Sequence, residues 1–174
     1  MMRRLKFIVF GLCLLIAACA PDQPQTQSES PSGDVRAFPA PDFTLERLDG
    51  NTLTLSNLRG RWVIVNFWAT WCEPCVVEMP ALQSIASNYR SDLILLGINM
   101  RETVPLIRPF VEAQNLTFPI LLDPSDELLA QYAVRGLPKT MVISPDGDVV
   151  WQQFGPVELE SFEPTLQRLL AEAA

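Results

Sequence analysis

The sequence predicts one mixed α/β domain in which helices cover both faces of a β-sheet. Three observations lead to this fold class. Buried-strand patterns alternate with helical patterns along most of the chain, a hairpin pattern and a helical pattern follow near its end, and 48% of the 174 residues are hydrophobic. A chain of this length and composition can bury one sizeable core and does not require a second domain.

The domain begins with a hairpin and a buried strand. Residues 42–46 and 52–55 alternate apolar with polar side chains around an Asp-Gly-Asn turn, which is typical of a β-hairpin. Residues 62–68 are apolar on both faces except at Asn66, as a central parallel strand would be. From Cys72 the apolar residues recur at helical spacing, so a helix should follow this strand directly.

The remaining elements continue the alternation. Short apolar runs indicate strands, and apolar residues three or four positions apart indicate helices. We expect, in order, a strand at 93–98, a helix at 104–113, a short strand at 118–122, a short helix at 126–132, a hairpin of 140–143 with 149–154, and a terminal helix over 159–170.

Cys72 and Cys75 stand where the buried strand passes into the first helix. A thiol in the first turn of a helix faces unpaired N–H groups and the positive end of the helix dipole, which favour the thiolate. Cys72 is therefore the expected nucleophile. Cys75 can reach a mixed disulfide formed on Cys72 and displace the partner by closing a disulfide within the pair. The pattern predicts thiol–disulfide exchange.

The composition argues against other uses of the cysteine pair. Zinc requires about four ligands, and the chain has no His and no second Cys-x-x-Cys pair, so we expect no metal and no cofactor. A purely structural disulfide across so short a loop would stabilise the fold little. The absence of His also excludes a Ser-His or Cys-His catalytic pair within the chain. Three of the 13 basic residues lie in the first six positions, and the remaining 10 against 20 acidic residues argue against a nucleic-acid partner.

The first 18 residues have the features of an export signal. Basic residues precede a mostly apolar run at 7–18, which is shorter than the roughly 20 residues of a membrane-spanning helix. The ending Ile16-Ala17-Ala18-Cys19 resembles the signal of bacterial lipoproteins, and this resemblance implies removal of residues 1–18 and lipidation of Cys19. The alternatives are an uncleaved anchor and an ordinary signal peptide.

Residues 19–40 should form a lipidated N-terminus and a disordered tether. The stretch is rich in Pro, Gln, Ser, Thr and acidic residues, and it has too few apolar residues to offset the entropy of ordering it. The folded domain should then occupy residues 41–174. Because Cys13 would be removed with the signal and Cys19 would carry lipid, the pair at the helix start would supply the only free thiols.

Four strings in the second part of the chain carry a family resemblance: PDFTLERLDG, LSNLRGRWVIVNFWATWCEPC, EMP and VRGLPKTMVISPDG. From residue 41 onward the chain resembles the TlpA/ResA group, which comprises membrane-tethered thiol oxidoreductases found outside the bacterial cytoplasm. The resemblance implies a thioredoxin-like fold with an N-terminal β-hairpin extension and a strand-helix insertion. It also implies that Cys72 is the exposed attacking thiol and Cys75 the resolving one. Pro138 would be a cis-proline beside the pair that offers backbone to a partner's extended chain.

Charged residues near the pair should tune its chemistry. Glu73, between the cysteines, opposes thiolate formation and should make the pair more reducing. On pattern alone Glu78 is a solvated helix residue, whereas the resemblance implies a partly buried carboxylate that tunes or receives thiol protons. Asn66 stands where thioredoxins carry an Asp, which leaves Glu78 as the remaining acid. Lys139 would add a cation near the cleft.

The leading hypothesis is an extracytoplasmic, lipid-anchored reductase of disulfides in exported proteins, with the haem-site cysteines of apocytochrome c as a candidate substrate. Its site would also include Trp71, Pro74 and Leu137, and its partners would be exported disulfide proteins, a thiol reductant and, through Cys19, a bacterial membrane. One alternative is a peroxiredoxin-like thiol peroxidase, since peroxiredoxins share the PDFTL and LSNLRG strings, although no Pro-x-x-x-Thr-x-x-Cys pattern is present. Another is a Cu(I)-binding module, although related copper chaperones also use a His.

Overall fold

The structure, a computed structural model, describes residues 32–172. Cys19, the predicted signal at 1–18 and the first part of the predicted tether lie outside the described residues. The described strands and helices are, in chain order, β1 (Ser32–Pro39), β2 (Thr44–Glu46), β3 (Thr52–Thr54), β4 (Trp62–Trp68), α1 (Glu73–Asn88), β5 (Leu93–Asn99), α2 (Val104–Ala113), β6 (Ile120–Leu121), α3 (Asp126–Gln131), β7 (Lys139–Ile143), β8 (Asp148–Phe154) and α4 (Leu159–Glu172).

A six-stranded sheet in the order β1-β8-β7-β4-β5-β6 forms the centre of the domain, and β2 and β3 pair separately as the predicted hairpin. Strand β4 pairs in parallel with β5 and antiparallel with β7. All seven residues of β4 are buried, because helices or loops cover both faces of the sheet. The carboxyl ends of β4 and β5 therefore meet at one edge of the sheet, which we call the active-site edge.

Side chains alternate along β4 and divide the core into two clusters. Ile64 and Trp68 pack with α1, α2 and α4, where Met79, Leu82 and Phe162 are buried. On the other face, the buried side chains that pack together come from β4, α3 and the segment around the first hairpin, and they include Val65, Phe67, Leu128, Tyr132 and Phe43. Neighbouring residues of one strand therefore contact different clusters.

The order of elements confirms the sequence-based prediction of fold. The first hairpin, the strand that leads into α1, the second hairpin β7–β8 and the terminal helix all form at the expected positions. Strand β6 and helix α3 lie between α2 and β7 and constitute the expected strand-helix insertion. Pro80 lies inside α1, which nevertheless runs unbroken from Glu73 to Asn88.

The prediction of a disordered tether as far as residue 40 was wrong for its last part. Residues 32–39 form β1, which pairs antiparallel with β8 at the edge of the sheet. An open strand edge offers backbone N–H and C=O groups that any extended segment can pair with, whatever its side chains. Such pairing needs no hydrophobic periodicity, so the composition of this segment gave no signal for it.

Candidate active site

The two cysteines form a disulfide at the start of α1. Cys72 is the N-cap residue, its Cα lies 5.2 Å from that of Cys75, and its sulfur accepts the backbone N–H of Cys75 at 3.3 Å. Pro74 occupies the first turn, where its missing N–H removes no helical hydrogen bond. The disulfide therefore sits at the N-terminal end of the helix, as the spacing predicted.

Exposure differs between the two cysteines. Cys75 is completely buried and Cys72 is 5% exposed, while Trp71 beside them is 70% exposed. The family resemblance implied an exposed Cys72. In this disulfide form it is nearly buried, because it is bonded to Cys75 inside the first turn. Cys72 is nonetheless the member of the pair that faces solvent.

Cys72 opens onto an apolar cleft of about 560 Å³ at the active-site edge. One wall consists of the start of α1, and the other consists of the loop before β7. The residues that line the cleft are Trp71, Cys72, Glu73, Pro74, Met100, Val134, Arg135, Gly136 and Leu137. The structure thus brings together the secondary site residues predicted around the cysteines and Leu137, which is distant in sequence.

The Leu137–Pro138 peptide bond is cis, as the family resemblance implied. Pro138 is buried, and its carbonyl accepts the N–H of Gly155 at 2.9 Å. Within residues 32–172, the backbone groups of Gly136 and Leu137 form no hydrogen bond with other backbone. The backbone groups of Gly136 and Leu137 are therefore unpaired with other backbone of the described residues, and the role of Pro138 toward a partner's chain stays a prediction.

Glu78 is buried between α1 and the sheet, 2% exposed, one helical turn after Cys75. One carboxylate oxygen accepts the side-chain N–H of Asn66 at 2.8 Å, and the other accepts the backbone N–H of Val157 at 2.6 Å. Burial raises the pKa of Glu78 to about 7, against the opposing effect of these two hydrogen bonds. The reading of Glu78 as a solvated helix residue is excluded by its burial.

Lys139 is completely buried and does not line the cleft, although its ammonium group contacts the loop that forms one cleft wall. It follows Pro138 and pairs with Phe67 of β4, so its side chain lies on the same face of the sheet as Phe67. Glu78 lies on the other face. Its ammonium group donates to the carbonyls of Tyr132 at 2.6 Å and Ala133 at 3.3 Å and lies 4.2 Å from the ring centre of Phe154. Desolvation lowers the pKa of Lys139 to about 8. The alternation of side chains along β7 explains this placement, because one position decides which face a side chain enters.

Glu102 is a residue near the site that the sequence analysis missed. Its carboxylate accepts the backbone N–H of Thr70 at 2.7 Å, the Thr70 hydroxyl and the side-chain N–H of Asn99 at 2.8 Å. It therefore fixes the loop that leads from β4 to Cys72. The available signal was an acid just after β5, since parallel strands end at the same edge and place their following residues together.

Residues 32–172 contain neither a membrane-spanning helix nor a metal-binding cluster. Over residues 32–172, none of the helices is both long and apolar enough to cross a bilayer. In the same range, no three His, Cys, Asp or Glu side chains are grouped as a metal-binding cluster.

A sequence model described as the AhpC/TSA family matches residues 37–152, two thirds of the chain. The chain belongs to the AhpC/TSA family. Among its AhpC/TSA relatives, the thiol-disulfide oxidoreductase ResA of Geobacillus kaustophilus is 37% identical over 131 residues, which cover 75% of each chain. The family match at residues 37–152 includes both cysteines, the loop before β7 and strands β2 to β7.

Solved structures are also similar to this chain. A thiol:disulfide interchange protein of the thioredoxin family from Chlorobium tepidum is 28% identical, with a TM-score of 0.70 over 79% of this chain and 99% of its own. The pneumococcal exposed lipoprotein thioredoxin from Streptococcus pneumoniae is 30% identical, with a TM-score of 0.66 over 74% of this chain and 100% of its own. The AhpC/TSA chain is thus a thiol–disulfide oxidoreductase with a thioredoxin-like fold.

Proposed function

We propose that the protein reduces disulfides of exported proteins while anchored by lipid to the outer side of a bacterial membrane. The observation that carries this proposal is the Cys72–Cys75 disulfide at a helix start, next to an apolar cleft and a buried carboxylate. The anchor is supported by the lipoprotein-like ending at Cys19 and by the similarity to an exposed pneumococcal lipoprotein. Residues 1–18 would be removed, and residues 19–31 would connect the lipid to β1.

The reaction begins from the reduced pair. The thiolate of Cys72 attacks one sulfur of a substrate disulfide, forms a mixed disulfide and releases the other substrate sulfur as a thiolate. The thiolate of Cys75 then attacks the Cys72 sulfur, closes the disulfide seen in the structure and releases the second substrate thiolate. Two electrons pass to the substrate, and an extracytoplasmic or membrane thiol reductant restores the pair.

Glu78 is placed to take part in the second step. Cys75 must lose its proton before it attacks, although it is completely buried. A carboxyl group whose pKa lies at about 7 can accept and release a proton near neutral pH with little energetic cost. Glu78 lies one turn from Cys75 in the same helix, so we assign it as the acceptor of the Cys75 proton.

Glu73 favours reduction over oxidation of the substrate. Glu73 adds a negative charge to the first turn of α1, where it opposes the thiolate of Cys72 and offsets part of the helix dipole. A less stable thiolate disfavours the reduced pair relative to the disulfide and makes it a better reductant. This effect of Glu73 supports the direction in which electrons leave the cysteines.

The cleft supports an extended polypeptide as substrate. Its apolar walls accept side chains on either side of the substrate cysteine, and the open backbone of Gly136 and Leu137 can pair with an extended segment. Unfolded segments such as the haem-site cysteines of apocytochrome c meet this requirement. We therefore propose reduction of apocytochrome c during cytochrome c maturation as the specific role.

Trapping of the mixed disulfide tests the function. We expect Cys75→Ser to accumulate a mixed disulfide with a peptide that contains the haem-site Cys-x-x-Cys-His motif in its disulfide form, because the second step cannot occur. Cys72→Ser should abolish exchange and trap nothing, and Ser87→Ala, at an exposed position of α1, should match the wild type. Full exchange activity in Cys72→Ser would refute the assignment.

Two further measurements separate the proposal from its alternatives. The reduced wild type should consume hydrogen peroxide no faster than a free thiol does, whereas a thiol peroxidase would be far faster. Equilibration with glutathione or dithiothreitol should give a potential near the reducing end of the thioredoxin-like range, about −270 mV. A potential near the oxidising end, about −120 mV, would reverse the proposed direction.

A further inference from the structure

The first described residue lies at the same edge of the sheet as the cysteines. The carboxyl end of β4, which leads to Cys72, pairs with the start of β7 through Phe67 and Lys139. The start of β7 pairs with the end of β8, and the end of β8 pairs with Ser32. Ser32 is therefore at the active-site edge, three strands away from β4.

This separation is short on the scale of the domain. Neighbouring strands lie about 4.7–4.9 Å apart, so the start of β1 is displaced from β4 by about 14 Å across the sheet. The chain that precedes Ser32 thus reaches the domain beside the cleft.

The other end of β1 lies at the opposite edge of the sheet. Pro39 pairs with Asp148 at the start of β8, and the N–H of Ala40 donates to the carbonyl of Gly147 in the β7–β8 turn at 2.9 Å. The residues of β8 that pair with β1, 148–153, span about 17 Å. A tether that ended at residue 40, as the sequence analysis expected, would have entered at this far edge.

The first residues of β1 are held to the domain by two kinds of contact. Residues 32–34 pair in register with residues 151–153 of β8. Both carboxylate oxygens of Asp34 accept hydrogen bonds from Arg168 in α4, at 2.6 and 2.8 Å. This exposed ion pair adds modest stability to the backbone pairing. The entry point of the chain is therefore defined by strand pairing and by a contact with a second element.

We propose that β1 turns the active site toward the membrane, so that its partners are proteins whose disulfides or dithiols lie at the membrane surface. The inference rests on the lipid anchor at Cys19 in the proposed function. The 13 residue steps from Cys19 to Ser32 span at most about 45 Å in any conformation. The segment from the anchor thus joins the domain at its active-site edge, and its length is limited.

In the alternative orientation the cleft faces away from the membrane. The segment before Ser32 would then have to extend past the whole domain to reach the membrane. A domain of 141 residues has a radius of gyration of about 14 Å, so its width is comparable to the length of the connection. With the attachment beside the cleft, the cleft is the part of the domain nearest the anchor, and the β7–β8 turn is the part farthest from it. Membrane-bound partners therefore have better access than partners in bulk solution.

Energy transfer from the domain to the lipid tests this orientation. The full-length lipidated protein, with Cys72→Ser and Cys75→Ser, would carry a donor dye through either Arg135→Cys or Asp146→Cys and be placed in phosphatidylcholine vesicles with an acceptor dye on the lipid headgroup. Arg135 is exposed at the cleft, and Asp146 is exposed in the β7–β8 turn. We expect clearly greater transfer from the dye at position 135.

Two controls separate the orientation from the anchor. The labelled protein with Cys19 intact should float with the vesicles, and the same protein with Cys19→Ser should not. This difference establishes the lipid attachment. If the labelled protein that keeps Cys19 does not float, both the proposed anchor and this inference are overturned. Flotation with equal transfer from the two positions, or with greater transfer from position 146, would overturn the orientation alone and leave the proposed function intact.

Discussion

The side-chain amide of Asn66 donates a hydrogen bond of 2.8 Å to Glu78, and both side chains are buried. The same nitrogen donates to the hydroxyl of Thr140 at 3.0 Å, while the carbonyl oxygen of Asn66 has no hydrogen-bond partner. Asn66 thus presents a donor to the ionised carboxylate of Glu78. An amide that rotated by half a turn would instead present an acceptor to the protonated form, so this pair can accommodate both states of Glu78.

The raised pKa of Glu78 predicts that the stability of the oxidised protein falls as pH rises. Between about pH 4.5 and 7 the folded protein holds a proton that the unfolded chain has released. The contribution is fully present below the unfolded value and is lost above about pH 7, and it amounts to about 3 kcal/mol. Urea unfolding at several pH values should show this fall in the wild type and its absence in Glu78→Gln. Glu73→Gln, at an exposed position of the same helix, should keep it, and an unchanged profile in Glu78→Gln would contradict the prediction.

The lowered pKa of Lys139 predicts a rise in stability at alkaline pH. Above about pH 8 the folded protein loses a proton that the unfolded chain keeps until about 10.5, so the free energy of unfolding increases with pH in that window. Between pH 8 and about pH 9.5 we expect about 2 kcal/mol from this group. Lys139→Met should lose this rise, and Arg135→Met should retain most of it. A wild type with no alkaline rise relative to Lys139→Met would show that the ammonium group is not desolvated.

The contacts of Glu102 predict that Glu102→Ala loosens the loop before Cys72. The substitution leaves the N–H of Thr70 and the amide of Asn99 without their acceptor, which should cost about 1–3 kcal/mol. Hydrogen exchange at the Thr70 and Trp71 amides should accelerate, and disulfide exchange should slow. Glu112→Ala, at an exposed position in α2, is the matched control and should change neither. Equal protection of the Thr70 amide in both variants would argue against the role of Glu102.

The surroundings of Gly97 predict that this position in β5 accepts no side chain. A Cβ atom there would lie 3.0 Å from both Phe118 and Trp68 and 3.1 Å from Ile120. Gly97→Ala should therefore destabilise the domain by about 1–3 kcal/mol through overpacking, measured by thermal or urea unfolding. Gly136→Ala meets no atom within 4 Å and should leave stability nearly unchanged. A neutral Gly97→Ala would mean that the neighbouring rings move apart easily.

The sequence was sufficient for features that depend on local spacing. The position of Cys72 and Cys75 at a helix start follows from an apolar strand and a helical repeat that meet there, and the fold follows from the alternation of such patterns. Family resemblance supplied the cis bond before Pro138 and the burial of Glu78, for which the pattern alone favoured a solvated residue. Pro138 and Glu78 each lie within one of the short sequence strings that carry the resemblance.

Features that depend on pairing between distant segments were not predictable in this way. The face that Lys139 enters depends on the register of β7 against β4, and the contact of Glu102 with Thr70 depends on two strands that end at one edge. Strand β1 depends on the free edge of β8, which becomes defined only when the sheet has formed. A single sequence contains no direct signal of register or of a free edge.

The disulfide between Cys72 and Cys75 also simplifies folding in an oxidising environment. If the proposed processing removes Cys13 with the signal and lipidates Cys19, the remaining two thiols allow one intramolecular pairing. The chain can therefore become oxidised before, during or after folding without forming a wrong internal bridge. A protein with this property would reach its native connectivity without the help of an isomerase.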